Sequence, residues 1–206
     1  PTNFVENGLR WVNPIADMMI PQRALLFGWA LLFPCLFLLH RGAIKRDTSV
    51  FVPLGILAST LPLIHTHSFL ALGIISGFYL IRSLLKNEGK AQWLGFAKYL
   101  GIVLILALPQ LIRFSFQQSV GFLEFQFNWA NESDNYIWFY VKNFCLIALL
   151  APVAFLAASK EDKGVVGGAI LIWLIAEFIQ FQPNPYDNNK LLFIAFAYSC
   201  GLVGSW

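Results

Sequence analysis

Long apolar runs separated by short polar connections are the feature that most constrains this chain. A helix needs ~20 mostly apolar residues to cross the hydrocarbon core of a bilayer. Helices are the expected spanning structure, because lipid offers no partner to unpaired backbone groups, and the alternation of a transmembrane barrel is not seen. Seven runs qualify or nearly qualify, at about 23–39, 50–64, 69–85, 93–112, 136–158, 165–181 and 191–206.

The composition agrees with a membrane protein. Hydrophobic residues make up 58% of the 206 residues and charged residues only 12%, whereas a soluble domain carries about 25% charged residues. A soluble core of this size could not bury so much apolar surface. We therefore predict an all-α polytopic transmembrane helix bundle of about seven spans. The net charge of +3 is too small to indicate a nucleic-acid partner.

The N-terminal stretch 1–22 is too polar to be a span and is predicted to be an interfacial segment. Pro21 separates it from the first run. We expect 1–206 to be a single transmembrane domain and an internal fragment of a longer protein, because it begins with Pro1 and ends in an apolar run. The three cysteines lie inside apolar runs and are interpreted as packing residues.

The second run is the least regular of the seven. Pro53 and Pro62 interrupt it, and no proper loop separates it from the third run. Either a tight hairpin joins the two runs, or a bent helix re-enters the membrane.

Lysine and arginine content predicts the orientation. One set of alternate connections carries Arg41, Lys45, Arg46, Arg82, Lys86, Lys90, Lys98, Lys160 and Lys163. The other set carries Arg10, Arg23, Arg113, Lys142 and Lys190. We expect the more basic side to be cytoplasmic, which places the start of the chain outside, in a microbial plasma membrane. The unusual polar residues then share the outer side, which predicts an outward-opening site.

His65 and His67 lie in the outer connection after the second run. Residues at i and i+2 do not share a helix face, and a metal would need a third ligand that nothing nearby supplies. The sequence therefore predicts no metal ligand and no cofactor, although the full-length protein could use a divalent cation. The histidines could bind a polar headgroup or substrate, or could simply stabilise a hairpin.

Two further outer positions could hold an anion or a sugar. Arg23 is expected at headgroup level, where its side chain could bind a phosphate or simply extend into the membrane interface. The connection before the last run carries Asp187, Asn188, Asn189 and Lys190. These four could bind sugar hydroxyls or an anion at a helix N-terminus, or could form a rigid turn with a cap.

Glu177, Lys142 and Asn143 are predicted to lie inside or close to spans. A buried ionisable group in a membrane needs protein or water around it. Glu177 could pair with Lys142 or Arg113, or be protonated. Lys142 and Asn143 are too deep to be loop residues.

The order of several short motifs carries a family resemblance. The chain has PQR at Pro21–Arg23, PLIHTHSF at Pro62–Phe69, LPQ at Leu108–Gln110, IWFYVKN at Ile137–Asn143 and QPNPYDNNKLL at Gln182–Leu192. It resembles large microbial membrane proteins whose architecture is similar to the GT-C class of glycosyltransferases. Those enzymes use a polyprenyl-phosphate sugar donor at the outer membrane face.

The resemblance implies transfer of a sugar from a polyprenyl-phosphate donor, with membrane lipid as the other partner. It implies that Arg23, Lys190 or Arg113 holds the phosphate, and that His65, His67 and Asp187–Asn189 shape the pocket. The catalytic residue stays unknown, because the acidic residue of such enzymes is expected before Pro1, with Asp17 as a possible replacement. The alternative is a secondary transporter or a flippase for lipid-linked saccharides, which proline-broken spans and buried polar residues would suit.

Overall fold

A computed structural model describes residues 3–115, 123–131, 133–181 and 185–206. Parts of the predicted outer loops, 116–122, 132 and 182–184, lie outside the described residues. The described chain is helical, which confirms the all-α prediction. It forms two compact units, a central unit (Arg23–Val120) and a terminal unit (Pro1–Gln22 with Gly121–Trp206).

The described residues of the central unit form five α-helices. They are α1 (Arg23–Ala43), α2 (Phe51–Ala58), α3 (Leu61–Ile64), α4 (Thr66–Leu85) and α5 (Lys90–Gln110), with a 3-10 turn at Thr48–Val50 and a π turn at Leu111–Ser115. Helix α1 packs against α2 and α4, and α2 packs against α5. The side chains between them are fully buried, among them Leu32, Leu54 and Ile75.

Small residues and a few polar bonds hold the central helices together. Gly95 faces the ring of Phe51 so closely that a methyl group would not fit. Gln92 donates from Nε2 to the carbonyl of Gly42 at 2.7 Å, and the hydroxyls of Ser76 and Tyr99 are 2.9 Å apart. Such close approaches and interhelical hydrogen bonds are what associate helices where the hydrophobic effect between them is weak.

In the terminal unit, the part of the chain that the structure describes forms four α-helices and a short sheet. They are α6 (Tyr136–Phe144), α7 (Leu146–Ala157), α8 (Lys160–Phe178) and α9 (Pro185–Ser205), and strands β1 (Glu124–Phe125) and β2 (Ile179–Gln180) pair antiparallel. Before them come a 3-10 turn at Val5–Asn7 and a π turn at Pro14–Met19. Helices α7 and α8 both pack on α9.

Three unbroken helices of the described chain are long and apolar enough to cross a membrane: Arg23–Ala43, Thr66–Leu85 and Lys90–Phe114. The predicted count of seven spans is therefore not reached. The second run, predicted at about 50–64, lies in a shorter apolar segment, Thr48–Ile64, which consists of the 3-10 turn, α2 and α3. Its 17 residues extend about 25 Å at 1.5 Å per residue, which is less than the ~30 Å of the hydrocarbon core.

The last three predicted spans differ from expectation for separate reasons. The fifth run is broken between α6 and α7 by a bend of 101°, so it is one span only if the bent pair is counted together. The break lies at Cys145, whose φ is 54°, and Pro152 stays inside α7. Helix α8 carries Lys160, Asp162, Lys163 and Glu177, and α9 begins with a polar turn, so neither is apolar along its whole length.

Candidate functional site

Helix α6 divides the terminal unit into a polar and an apolar side. Asn135 caps the helix, because its side chain accepts from the backbone N–H groups of Ile137 and Trp138. One face of α6, with Ile137 and Val141, lines an apolar groove. The opposite face, with Phe139 and Lys142, lines a polar pocket. At 100° per residue the centres of these two pairs lie about 150° apart around the helix.

Asn143 fixes the N-terminal segment onto α6. Its Oδ1 accepts from the backbone N–H groups of Arg10 (3.0 Å) and Trp11 (2.9 Å). Its Nδ2 donates to the carbonyls of Gly8 (3.1 Å) and Phe139 (2.8 Å). One amide side chain thus satisfies four backbone groups, which explains why a polar residue lies in the predicted fifth span.

Lys142 and Gly8 also contribute to the contact between the N-terminal segment and α6. The Lys142 ammonium donates to the carbonyl of Asn7 at 2.8 Å and forms an ion pair with Asp134. Gly8 has a φ of 72° and lies against both charged groups, so that a Cβ here would collide with them. Glycine adopts this left-handed conformation without steric cost, which is why the turn can lie so close to α6.

The polar pocket formed by these contacts has a volume of about 400 Å³, within the ~300–1,000 Å³ of small-molecule sites. Hydrogen-bonding and charged groups dominate its lining, which includes Glu6, Arg10, Asn131, Ser133, Asp134 and Lys142. The two carboxylates balance the two cations. Such a lining can bind hydroxyl groups from several directions and can also stabilise a developing negative charge.

The apolar groove lies between α6, α7, α8 and α9 and has a volume of about 430 Å³. The bend at Cys145 directs α7 away from the axis of α6, and the groove lies between the two helices and α8. Ile147, Ala148, Ala169 and Leu202 are typical lining residues, and none of the described lining residues is charged. Broken helices at membrane depth are tolerated where they line a cavity or protein.

Aromatic and acidic residues meet at the end of the groove near the start of α6. Tyr140 donates a hydrogen bond to Oε2 of Glu177, which is only 2% exposed. The rings of Tyr136 and Trp173 lie 5.2 and 5.4 Å from that of Tyr140. The predicted pairing of Glu177 with Lys142 does not occur, because Lys142 pairs with Asp134.

The two candidate histidines belong to the central unit. His65 caps α4, since its Nδ1 accepts from the backbone N–H of Ser68 at 3.3 Å and lies 2.8 Å from the Ser68 hydroxyl. The His65 and His67 rings are 5.3 Å apart, and both residues are buried. Arg23, in the first turn of α1, is exposed.

The residues Asp187–Lys190, predicted to bind a ligand, lie in the terminal unit, where some form an ion pair and others are buried. Lys190 donates to Asp187 at 2.6 Å. Asn188 is fully buried and supports the end of α8, donating from Nδ2 to the carbonyls of Ala176 (2.9 Å) and Ile179 (3.0 Å). The amide group of Asn188 therefore stabilises the end of α8 through these hydrogen bonds.

Neighbouring asparagines provide a test of this structural role. Asn188→Ala is expected to lower the free energy of unfolding by about 2 kcal/mol, because buried carbonyls lose their donors. Asn189→Ala is expected to cost less, since the buried Oδ1 of Asn189 makes no hydrogen bond within the described chain. Unfolding by SDS titration in detergent micelles would compare the two variants. Equal losses would contradict the assignment.

Within the described residues, no group of three or more His, Cys, Asp or Glu side chains is arranged to hold a metal ion. The polar pocket also contains residues that sequence reasoning missed, namely Glu6, Arg10, Asn131 and Asp134. Arg10 and its neighbour Asn7 contact Asn143 and Lys142 of α6, which lie more than a hundred positions away along the chain. The one usable signal was the pair Lys142 and Asn143, which is too polar for its position.

Comparison with models of protein families, with curated proteins and with solved structures found no match. Any inference about function therefore rests on the polar pocket and the apolar groove.

Proposed function

We propose that this chain is a membrane-embedded segment of a GT-C-like glycosyltransferase. It would transfer a sugar from a polyprenyl-phosphate donor at the outer face of a microbial plasma membrane. The observation that carries the proposal is the polar pocket, together with the motif resemblance along the chain. The N-terminal segment that lines this pocket lies on the side expected to face outward from the distribution of basic residues.

The lining of the polar pocket suits both the sugar and the phosphate of such a donor. Carboxylate, amide and hydroxyl groups at Asp134, Asn131 and Ser133 match sugar hydroxyls, which both donate and accept. Arg10 and Lys142 can stabilise the charge that grows on the phosphate as the sugar leaves. The carboxylate that deprotonates the acceptor is expected from another part of the protein.

Loss of one pocket cation provides the test of this function. Membranes containing the full-length protein would be supplied with polyprenyl-phosphate-linked hexoses, and release of polyprenyl phosphate would be measured. Lys142→Met is expected to lower the rate about a hundredfold, as loss of one charge-stabilising donor typically does. Arg10→Met tests the second cation without removing the bond to Asn7.

Lys98→Met is the matched control, because Lys98 is exposed on α5 of the central unit. It is expected to keep the full rate, and all variants would be checked for folding by SDS titration. A folded Lys142→Met variant that transfers sugar at the unaltered rate would refute the role of the pocket.

The alternative function is a transporter or a flippase for lipid-linked saccharides. The bend of 101° between α6 and α7 and the buried Glu177 favour it, because discontinuous helices and buried ionisable groups are typical of transport sites. Movement of a fluorescent lipid-linked saccharide across vesicles containing the protein, without release of polyprenyl phosphate, would support this alternative.

A further inference from the structure

A row of four aromatic rings lies on the surface of the terminal unit. The ring of Phe178 stacks with those of Phe125 and Phe127, at centroid distances of 5.8 and 4.9 Å. Phe127 also stacks with Tyr136 at 5.6 Å, and we call these four rings the aromatic ladder. Phe125, Phe127 and Phe178 are 76%, 52% and 37% exposed. Exposed apolar patches of this kind mark interaction surfaces.

The chain around β1 separates the aromatic ladder from a polar side. Glu124 pairs with Gln180 across the sheet, and Phe125 pairs with Ile179. Directly opposed residues share a side of a sheet, and successive residues of a strand alternate between sides. Phe125 and Ile179 therefore lie on one side, and Glu124 and Gln180 lie on the other. Phe127 joins the side of Phe125, because both rings stack on the same partner.

Hydrogen bonds fix the aromatic ladder between two helix ends. The backbone N–H of Gln126 donates to the carbonyl of Phe178 at 3.0 Å, and Nε1 of Trp129 donates to the carbonyl of Ala176 at 2.7 Å. Phe178 is the last residue of α8, and Tyr136 is the first residue of α6. The rings are thus held in place before any partner arrives, which reduces the conformational entropy lost on contact.

The backbone and the rings of this region require different surroundings. Residues 127–130 form an irregular turn, and among the described residues the sheet has only two strands, so that each strand has one partner there. Exposed backbone of this kind is not found in the hydrocarbon core, because lipid offers it no hydrogen bonds. Exposed phenylalanine rings, in contrast, are unfavourable in water. The boundary between head groups and acyl chains suits both, and interfacial segments insert phenylalanine there.

We propose that the aromatic ladder inserts into the interface of one membrane leaflet, with lipid as its partner, and anchors this end of the terminal unit at head-group level. The uncharged rings and their place at the ends of two helices support this partner. The inference rests on the membrane location of the apolar helices and not on the proposed glycosyltransferase function. Asn131, Ser133 and Asp134 of the polar pocket lie between Phe127 and Tyr136 along the chain, so the anchor holds this part of the pocket near the head groups.

Spin labelling at successive positions tests the inference. The full-length protein, with its own cysteines replaced by alanine, carries a nitroxide on a single introduced cysteine in liposomes of a zwitterionic phospholipid. Electron paramagnetic resonance compares relaxation by O₂, which concentrates in lipid, with relaxation by a water-soluble nickel chelate. We expect O₂ to dominate for Phe125→Cys and Phe127→Cys, at a depth of about 5–10 Å. The nickel chelate is expected to dominate for Glu124→Cys and Gln126→Cys.

A pair of variants checks that the rings themselves provide the anchor. The reporter is a label at Leu123→Cys, since Leu123 is 70% exposed and lies two positions before Phe125. Phe125→Ser combined with Phe127→Ser is expected to move this label from lipid to water. Phe27→Ser combined with Phe37→Ser is the matched control, because both rings are exposed on α1, and it is expected to leave the label unchanged. All variants would be checked for folding by SDS titration.

Three results would each overturn the inference. Equal relaxation at all four positions from 124 to 127 would show that the aromatic ladder does not separate lipid from water. Weak relaxation of the labels at 125 and 127 by both reagents would show that another protein surface covers the rings. Protection that begins only when a polyprenyl-phosphate-linked hexose is added would assign the rings to the substrate. None of these results would alter the pocket test with Lys142→Met, so the two proposals can fail separately.

Discussion

Replacement of Asn143 by leucine is expected to release the N-terminal segment from α6 and to lower the free energy of unfolding by about 2–6 kcal/mol. The variant leaves the backbone N–H groups of Arg10 and Trp11 without their acceptor, and each buried, unpaired donor costs about 1–3 kcal/mol. The measurement is unfolding by SDS titration, with protease cleavage within Val5–Asn7 as a local readout.

Asn143→Asp is the graded comparison. It keeps the oxygen that accepts from Arg10 and Trp11 but loses the donor to Gly8 and Phe139. We expect an intermediate loss of stability and partial protection of the N-terminal segment. If Asn143→Leu were as stable and as protected as the unaltered protein, Asn143 would not hold the segment, and the polar pocket would lose its structural basis.

Replacement of Gly28 by alanine is expected to destabilise the central unit by about 2–4 kcal/mol. A methyl group on Gly28 would lie 2.7 Å from Cγ and 2.8 Å from Nδ1 of His65. Overpacking of this kind costs about 1–3 kcal/mol. Displacement of the ring would also weaken the cap at Ser68, which adds about 1 kcal/mol.

Gly73→Ala is the matched control in the same unit. No described atom beyond the adjoining backbone of its own helix lies within 4 Å of a Cβ at Gly73, so alanine in this helix is expected to stabilise it by about 0.5–1 kcal/mol. Thermal unfolding in detergent would follow both variants. Opposite signs are expected, and a loss of stability for Gly73→Ala equal to that for Gly28→Ala would contradict the close contact between α1 and His65.

The sequence predicted helices well but predicted their continuity poorly. Hydropathy indicates where an apolar helix can form, and α1, α4 and α5 agree with the runs assigned to them. The break at Cys145 was not predicted, because the residue carries no local signal. A left-handed residue inside an apolar run persists only where surrounding packing supports it.

In the candidate site, too, the sequence indicated single residues but not the contacts between them. Lys142 and Asn143 were marked by their own chemistry, since polar residues in an apolar run need partners. Their partners Asn7 and Gly8 could not be predicted from the sequence, because these residues lie more than a hundred positions from α6 along the chain. Asn188, by contrast, looked like a ligand-binding residue and supports the end of α8 through its own hydrogen bonds.

The sequence by itself determined that this chain is built from apolar helices, because the hydrophobicity of each run is a local property. Only the tertiary structure decided which polar residues meet. Asn143 joins the N-terminal segment to α6, and the bend at Cys145 accompanies a groove lined by α6, α7, α8 and α9. Tyr140 of this lining donates to the buried Glu177. Both depend on packing between distant segments, since a buried polar group has a function only through the partner that the fold brings to it.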